Sequence, residues 1–145
     1  MVKGDLAREN FKAGMNCAQA VLLAFKDDLK IDEQDLKKLI IGFGGGFARQ
    51  RYVCGAVSGM TAVLGSLLSD GKDRLKIYQI VKEAMDEFSK EAGSVICAEL
   101  LDGQTLQDKS IVPEERTEQY YKKRPCAELC ALSGDIAEKL IKKYK

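Results

Sequence analysis

The sequence contains no histidine. That absence removes Ser-His-Asp and Cys-His catalysis, and every zinc site with an imidazole ligand. Tryptophan is absent too, and there are only two prolines, Pro113 and Pro125. Neither sign of charge dominates: 23 Lys and Arg face 22 Asp and Glu, a formal net charge of +1. Electrostatics therefore gives no reason to expect nucleic acid or an anionic membrane as the main partner. The N-terminal stretch MVKGDLARENFKAG lacks a hydrophobic signal core, which predicts a cytoplasmic protein. Tyr52 to Ser69 carries no charge over eighteen residues, just reaching transmembrane length. Its three serines, one threonine and three glycines, with no flanking aromatic belt, predict a buried central helix instead of a span.

What is present suits one soluble domain, residues 1–145, with 46% hydrophobic and 31% charged residues. No alternating strand pattern occurs. The expected fold is all-α, a single helical bundle of five to six helices around a central apolar helix. Lys3 to Asp28 reads as one helix, with Ala7, Phe11, Ala18, Val21, Leu22 and Phe25 near the 3.6 period and Gly14 interrupting. Asp32 can cap a second helix carrying Leu36, Leu39 and Ile40 on one side. The central helix begins near Cys54, where Gly55, Ser58, Gly59, Ala62 and Ser66 form a stripe that would let another backbone approach. Lys72 to Ala92 is amphipathic, with Ile77, Val81, Ala84, Met85 and Phe88 inward. Ser94 can start a further helix with Cys97 in its first turn. Asp102 to Glu118 reads as irregular, with room for a short helix after Pro113. Pro125 opens a last helix, Cys126 to Lys143, burying Leu129, Leu132, Ile136, Leu140 and Ile141.

The glycines Gly42, Gly44, Gly45 and Gly46 end the second helix. They match neither the dinucleotide nor the P-loop fingerprint, and no strand precedes them. Arg49 and Arg51 are candidates to hold an anion near the start of the central helix.

Five cysteines remain: Cys17, Cys54, Cys97, Cys126 and Cys130. In a cytoplasmic chain they point to redox, catalytic or metal chemistry more than to structural disulfides. Cys54, Cys97 and Cys126 fall at or near helix starts, where the dipole and free N–H groups favour a thiolate. Arg51 and Arg124 add positive charge nearby. Cys17 reads as mid-helix, and Cys130 shares a helix face with Cys126. Spacings of 37, 43 and 29 residues match no compact zinc or ferredoxin signature.

The segments GMNCAQAVL around Cys17, CGAVSG from Cys54, FSKEAGSVICAELL around Cys97, and Cys126 before the last helix occur in that order over nearly the whole chain. With them the chain resembles the redox-active protein family named for its C-GCAxxG-C-C cysteine pattern. Here the central cysteine precedes the glycine. The resemblance implies a small helical protein with four functional cysteines, at Cys17, Cys54, Cys97 and Cys126, suited to redox work or to a prosthetic group. Cys130 lies outside the pattern and is a substitute for the last of them. Three readings follow. Four converging thiolates would hold an iron–sulfur cluster or zinc. Alternatively, a low-pKa Cys54 would act as the redox thiol of a metal-free thiol/disulfide protein, with another cysteine resolving. Or the cysteines are buried in a structural or interaction module. The partner is an unknown electron donor or acceptor protein, and an oligomer is left open.

Overall fold

The computed structural model describes residues 2–101 and 109–145. Within them it is helical, with no strand. The elements are α1 (Lys3–Lys12), α2 (Cys17–Ala24), α3 (Lys26–Leu29), α4 (Glu33–Ile40), a 3-10 turn (Ile41–Phe43), α5 (Gly55–Leu68), α6 (Arg74–Ala92), α7 (Cys97–Leu100), α8 (Glu118–Lys123) and α9 (Cys126–Tyr144). No helix is long and apolar enough to cross a membrane among the described residues. The uncharged run predicted to be a central helix is α5, which packs against α2, α6 and α9. It shares the centre with α2, where seven of eight residues are buried.

The first expected helix is three. Gly14 takes φ +113, a left-handed value that ends α1. Asn16 then starts α2 with a capping box: its side chain accepts from the Gln19 N–H, and the Gln19 side chain accepts from the Asn16 N–H. Cys17 is thus the first residue of α2 and not a mid-helix position. A third piece, α3, follows Phe25.

Helix contacts are close because small residues meet backbone. A Cβ on Gly59 of α5 would stand 2.7 Å from the Ala18 carbonyl oxygen of α2, and one on Gly55 would meet Ala18 N and Cys17 Cβ at 3.1 Å. The N-terminal half of the predicted small-residue stripe is therefore an α2–α5 seam. A similar seam joins α1 and α9, where a Cβ on Gly134 would meet the Lys3 carbonyl at 2.9 Å. The core around these seams is one continuous cluster that includes Phe11, Phe25, Met60, Phe88 and Leu140. Each fully buried aromatic there contributes about 2–3 kcal/mol of apolar burial.

Helix α6 buries Ile80, Ala84 and Phe88, with Ile77, Val81 and Met85 partly covered. In α4, Leu36 and Ile40 are buried, but Leu39 is 71% exposed and lies off the stripe. Helix α7 begins at Cys97, not Ser94, whose hydroxyl instead accepts from the Ile96 N–H. No helix follows Pro113 directly; α8 starts at Glu118 behind the cap Thr117. The expectation of irregular structure at 102–108 lies outside the described residues.

Candidate functional site

The loop between the 3-10 turn and α5 has an uncommon backbone. Gly45, Gly46, Phe47, Ala48 and Arg49 run consecutively with φ between 52 and 72, and Arg51 follows at φ 69. Each non-glycine residue held there costs about 1–2 kcal/mol. Backbone bonds from Arg51 N to the Gly45 carbonyl (3.1 Å) and from Tyr52 N to that of Gly46 (3.0 Å) hold the turn closed. The Phe43 and Phe47 rings meet edge to face at 4.8 Å.

The chain leaves this turn beside the segment before α7. Val53 and Ile96 form an antiparallel bridge, isolated among the described residues. Cys54 N donates to the Val95 carbonyl at 2.8 Å, and Cys97 N to that of Tyr52 at 2.6 Å. This clamp sets two cysteine-bearing helix starts side by side. Cys54 is the N-cap of α5, while Cys17, Cys97 and Cys126 are the first residues of α2, α7 and α9. All four line one cavity of about 460 Å³. Residues far apart in the chain thus share one pocket, each at the positive end of a helix.

Cys130 does not line the cavity. It is fully buried one turn along α9, with its Sγ 3.8 Å from the Cys17 carbonyl oxygen. All five cysteines are free thiols.

The thiols are pushed up, not down. Burial raises Cys54 to about 12, against the opposing N–H groups of Ala56 and Val57. The Cys126 thiol pulls Cys17 down, but the bond to Cys130 and burial outweigh it and hold Cys17 well above the thiol range. Cys126 is raised by its bond to Cys17 and then by burial, with Arg124 and Arg116 opposing. Burial also raises Cys130, against its bond to Cys17, and Cys97, against a bond and charge from Arg51. The low-pKa Cys54 expected for a metal-free redox thiol is therefore not what the fold produces. At that position loss of water outweighs the helix start.

Arg49 and Arg51 both line the cavity. Arg51 is 4% exposed and donates to Cys97 Sγ at 3.8 Å. Arg124, also buried, and Arg116 join them. Arg116 donates to the Phe11 and Met15 carbonyls, both at 3.0 Å, and lies 4.3 Å over the Phe11 ring. Glu114 bridges Arg49 at 3.2 Å and Arg124. Sequence reasoning missed Arg116 and Glu114, since both lie on an irregular segment with no periodicity to mark them.

Among the described residues no three Cys, Asp or Glu side chains are gathered tightly enough to hold a single metal ion. A tetrahedral zinc site, with Zn–S bonds of about 2.3 Å, needs such a gathering. A cluster of several irons places its cysteines around a larger core, so its ligands need not touch one another.

The family described as "Putative redox-active protein (C_GCAxxG_C_C)" matches residues 15–140. The chain belongs to this family. Its match takes in the helix starts that carry Cys17, Cys54, Cys97 and Cys126. An uncharacterized protein of Archaeoglobus fulgidus is 35% identical over 81 residues, 54% of this chain and 53% of that relative. The chain thus spans about half the length of that relative. No solved structure matches this member of the redox-active family.

Proposed function

We propose that this redox-active family member carries electrons through an iron–sulfur cluster held by Cys17, Cys54, Cys97 and Cys126. One observation carries the reading: four cysteines from four helix starts line a single cavity beside the buried cations Arg51 and Arg124. The donor set fits the group. It is all sulfur, the donor type that iron–sulfur clusters take, and the nearby guanidiniums offset the negative charge of a thiolate-ligated cluster. Raised thiols fit as well, because several buried neighbours cannot ionise together without a cation among them, whereas a bound metal deprotonates its thiols outright. The cluster supplies one-electron transfer when bound. The chain's own residues hold it, and Arg51 and Arg124 set the surrounding charge. The partner on this reading is a protein electron donor or acceptor.

The test is anaerobic production of the protein and of five single Cys→Ser variants, each measured for iron and acid-labile sulfide. Iron should be lost in C17S, C54S, C97S and C126S and kept in C130S. Equal iron in all five variants would refute the assignment.

A second reading keeps support from one observation. Cys130 Sγ lies 3.8 Å from the Cys17 carbonyl oxygen, and Cys17 and Cys126 line the same cavity, so Cys17 has other thiols for neighbours, as thiol–disulfide exchange requires. Reversible oxidation of iron-free protein, with Cys17 in the new disulfide by peptide mapping, would favour it.

A further inference from the structure

The four cysteines that line the cavity are only 4–9% exposed. Most of the wall around them is fixed by backbone. The starts of α2, α5, α7 and α9 carry the thiols, and the left-handed turn is closed by its own backbone bonds. One part of the wall is built differently. Residues 109–117 form no helix or strand, yet Ile111, Pro113, Glu114 and Arg116 line the cavity. Ile111 is also 75% exposed, so this segment separates the cavity from solvent. Its described ties to the rest of the protein run through side chains. At one end Arg49 donates to the Ser110 carbonyl, and Gln50 to that of Lys109 at 2.9 Å. In the middle Glu114 pairs with Arg49 and Arg124. At the far end Arg116 donates to the Phe11 and Met15 carbonyls, both at 3.0 Å. Its guanidinium sits among the Phe11, Tyr120 and Tyr121 rings, at 4.3, 5.0 and 5.8 Å from their centroids. Thr117 follows at once and caps α8, so regular structure resumes there.

We infer that residues 109–117 are a strap across the cysteine cavity, latched by Arg116, and that release of the strap admits small solutes to the thiols. Side-chain ties of this kind break locally, without unwinding any helix. Arg116 is the latch because one planar fork reaches two carbonyls at once. It thereby joins the strap to α1 and to the turn before α2, two residues from Cys17. The cavity behind the strap, about 460 Å³, takes ions and small reagents, not macromolecules. On the cluster reading these solutes are the iron and sulfide ions that build the centre. In iron-free protein they are small thiol reagents, which use the same entrance. The inference rests on the strap's contacts, and it holds with or without a cluster.

The test is iodoacetamide labelling of the iron-free full chain, its R116Q variant and its E114Q variant at pH 8, read at each cysteine by peptide mapping. R116Q should label Cys97 and Cys126 at least about tenfold faster than the parent, because losing charge-assisted hydrogen bonds raises the open population by that factor or more. E114Q should give a smaller gain, since it leaves the Arg116 latch in place. The Arg116 charge favours the Cys126 thiolate, so its removal alone slows labelling there and a gain reports access. Cys130 is fully buried outside the cavity and is the control for general unfolding. Its rate should stay at the parent value. Acceleration at Cys97 and Cys126 without acceleration at Cys130, in either variant, supports the strap. Its absence from both variants would overturn the strap.

Discussion

Replacing Gly59 and Gly65 by alanine, one at a time, tests the α2–α5 seam on which the cysteine cavity depends. Both lie in α5, six residues apart, so both gain the same helix propensity, about 0.8–1 kcal/mol over glycine. Their surroundings differ. A Cβ on Gly65 meets nothing within 4 Å. One on Gly59 would stand 2.7 Å from the Ala18 carbonyl oxygen and 3.1 Å from Val21 Cβ. The first contact is to backbone, so α2 must shift by about half an ångström. Overpacking of this kind costs about 1–3 kcal/mol. G65A should therefore be more stable than the parent by about 0.8 kcal/mol, and G59A should range from neutral to about 2 kcal/mol less stable. Their separation, about 1–3 kcal/mol, is the quantity to measure. Urea denaturation at pH 7 reads it directly, and melting should separate them by roughly 2–4 °C per kcal/mol. Because α2 carries Cys17 at its start, G59A should also hold less iron than G65A when made anaerobically. If G59A matched G65A in stability, the helices would not be in backbone contact and the cavity would be misdrawn.

Three further outcomes follow from the same geometry. Ala48 is exposed and left-handed at φ 52, so A48G should relieve about 1–2 kcal/mol of strain while adding about 0.4–1 kcal/mol of unfolded-chain freedom. The net gain of about 0.5–1 kcal/mol, read by urea denaturation, reverses the usual loss from Ala to Gly. Cys54 is raised to about 12 from the ordinary 9.0, so its protonated form is favoured by the fold. Its contribution is complete below the unfolded value and is lost as pH rises toward 12. Metal-free protein should then lose about 1.4 kcal/mol more than C54S between pH 7 and pH 10, while equal slopes would show an unshifted thiol. In the same metal-free protein at pH 7, iodoacetamide should label Cys54 about a thousandfold more slowly than in urea, by thiolate fraction alone.

Much of the helical frame is legible from apolar periodicity, because α5, α6 and α9 are long and each has one face buried. The break at Gly14 is harder to read. Glycine is tolerated inside helices at modest cost, and only the Asn16…Gln19 capping box behind it marks the new start. That single feature moves Cys17 from mid-helix to a helix start and so completes the set of four. The left-handed run has no signal beyond its glycines, since Phe47, Ala48 and Arg49 carry no preference for that conformation. Nor do the cysteine spacings foretell a shared cavity; the ordered motif around each one does. Burial also reverses the simple rule for thiols at helix starts: Cys54 has the free N–H groups but has lost the water. Arg116 and Glu114 are invisible beforehand because their positions depend on where an irregular segment lands.

The central claim is that four thiolates meet on one multi-iron centre. X-ray absorption fine structure at the iron edge, on protein made and kept without oxygen, tests it most directly. The account predicts an all-sulfur first shell together with iron–iron scattering. Iron ringed by oxygen or nitrogen, or protein that takes up no iron at all, would contradict it.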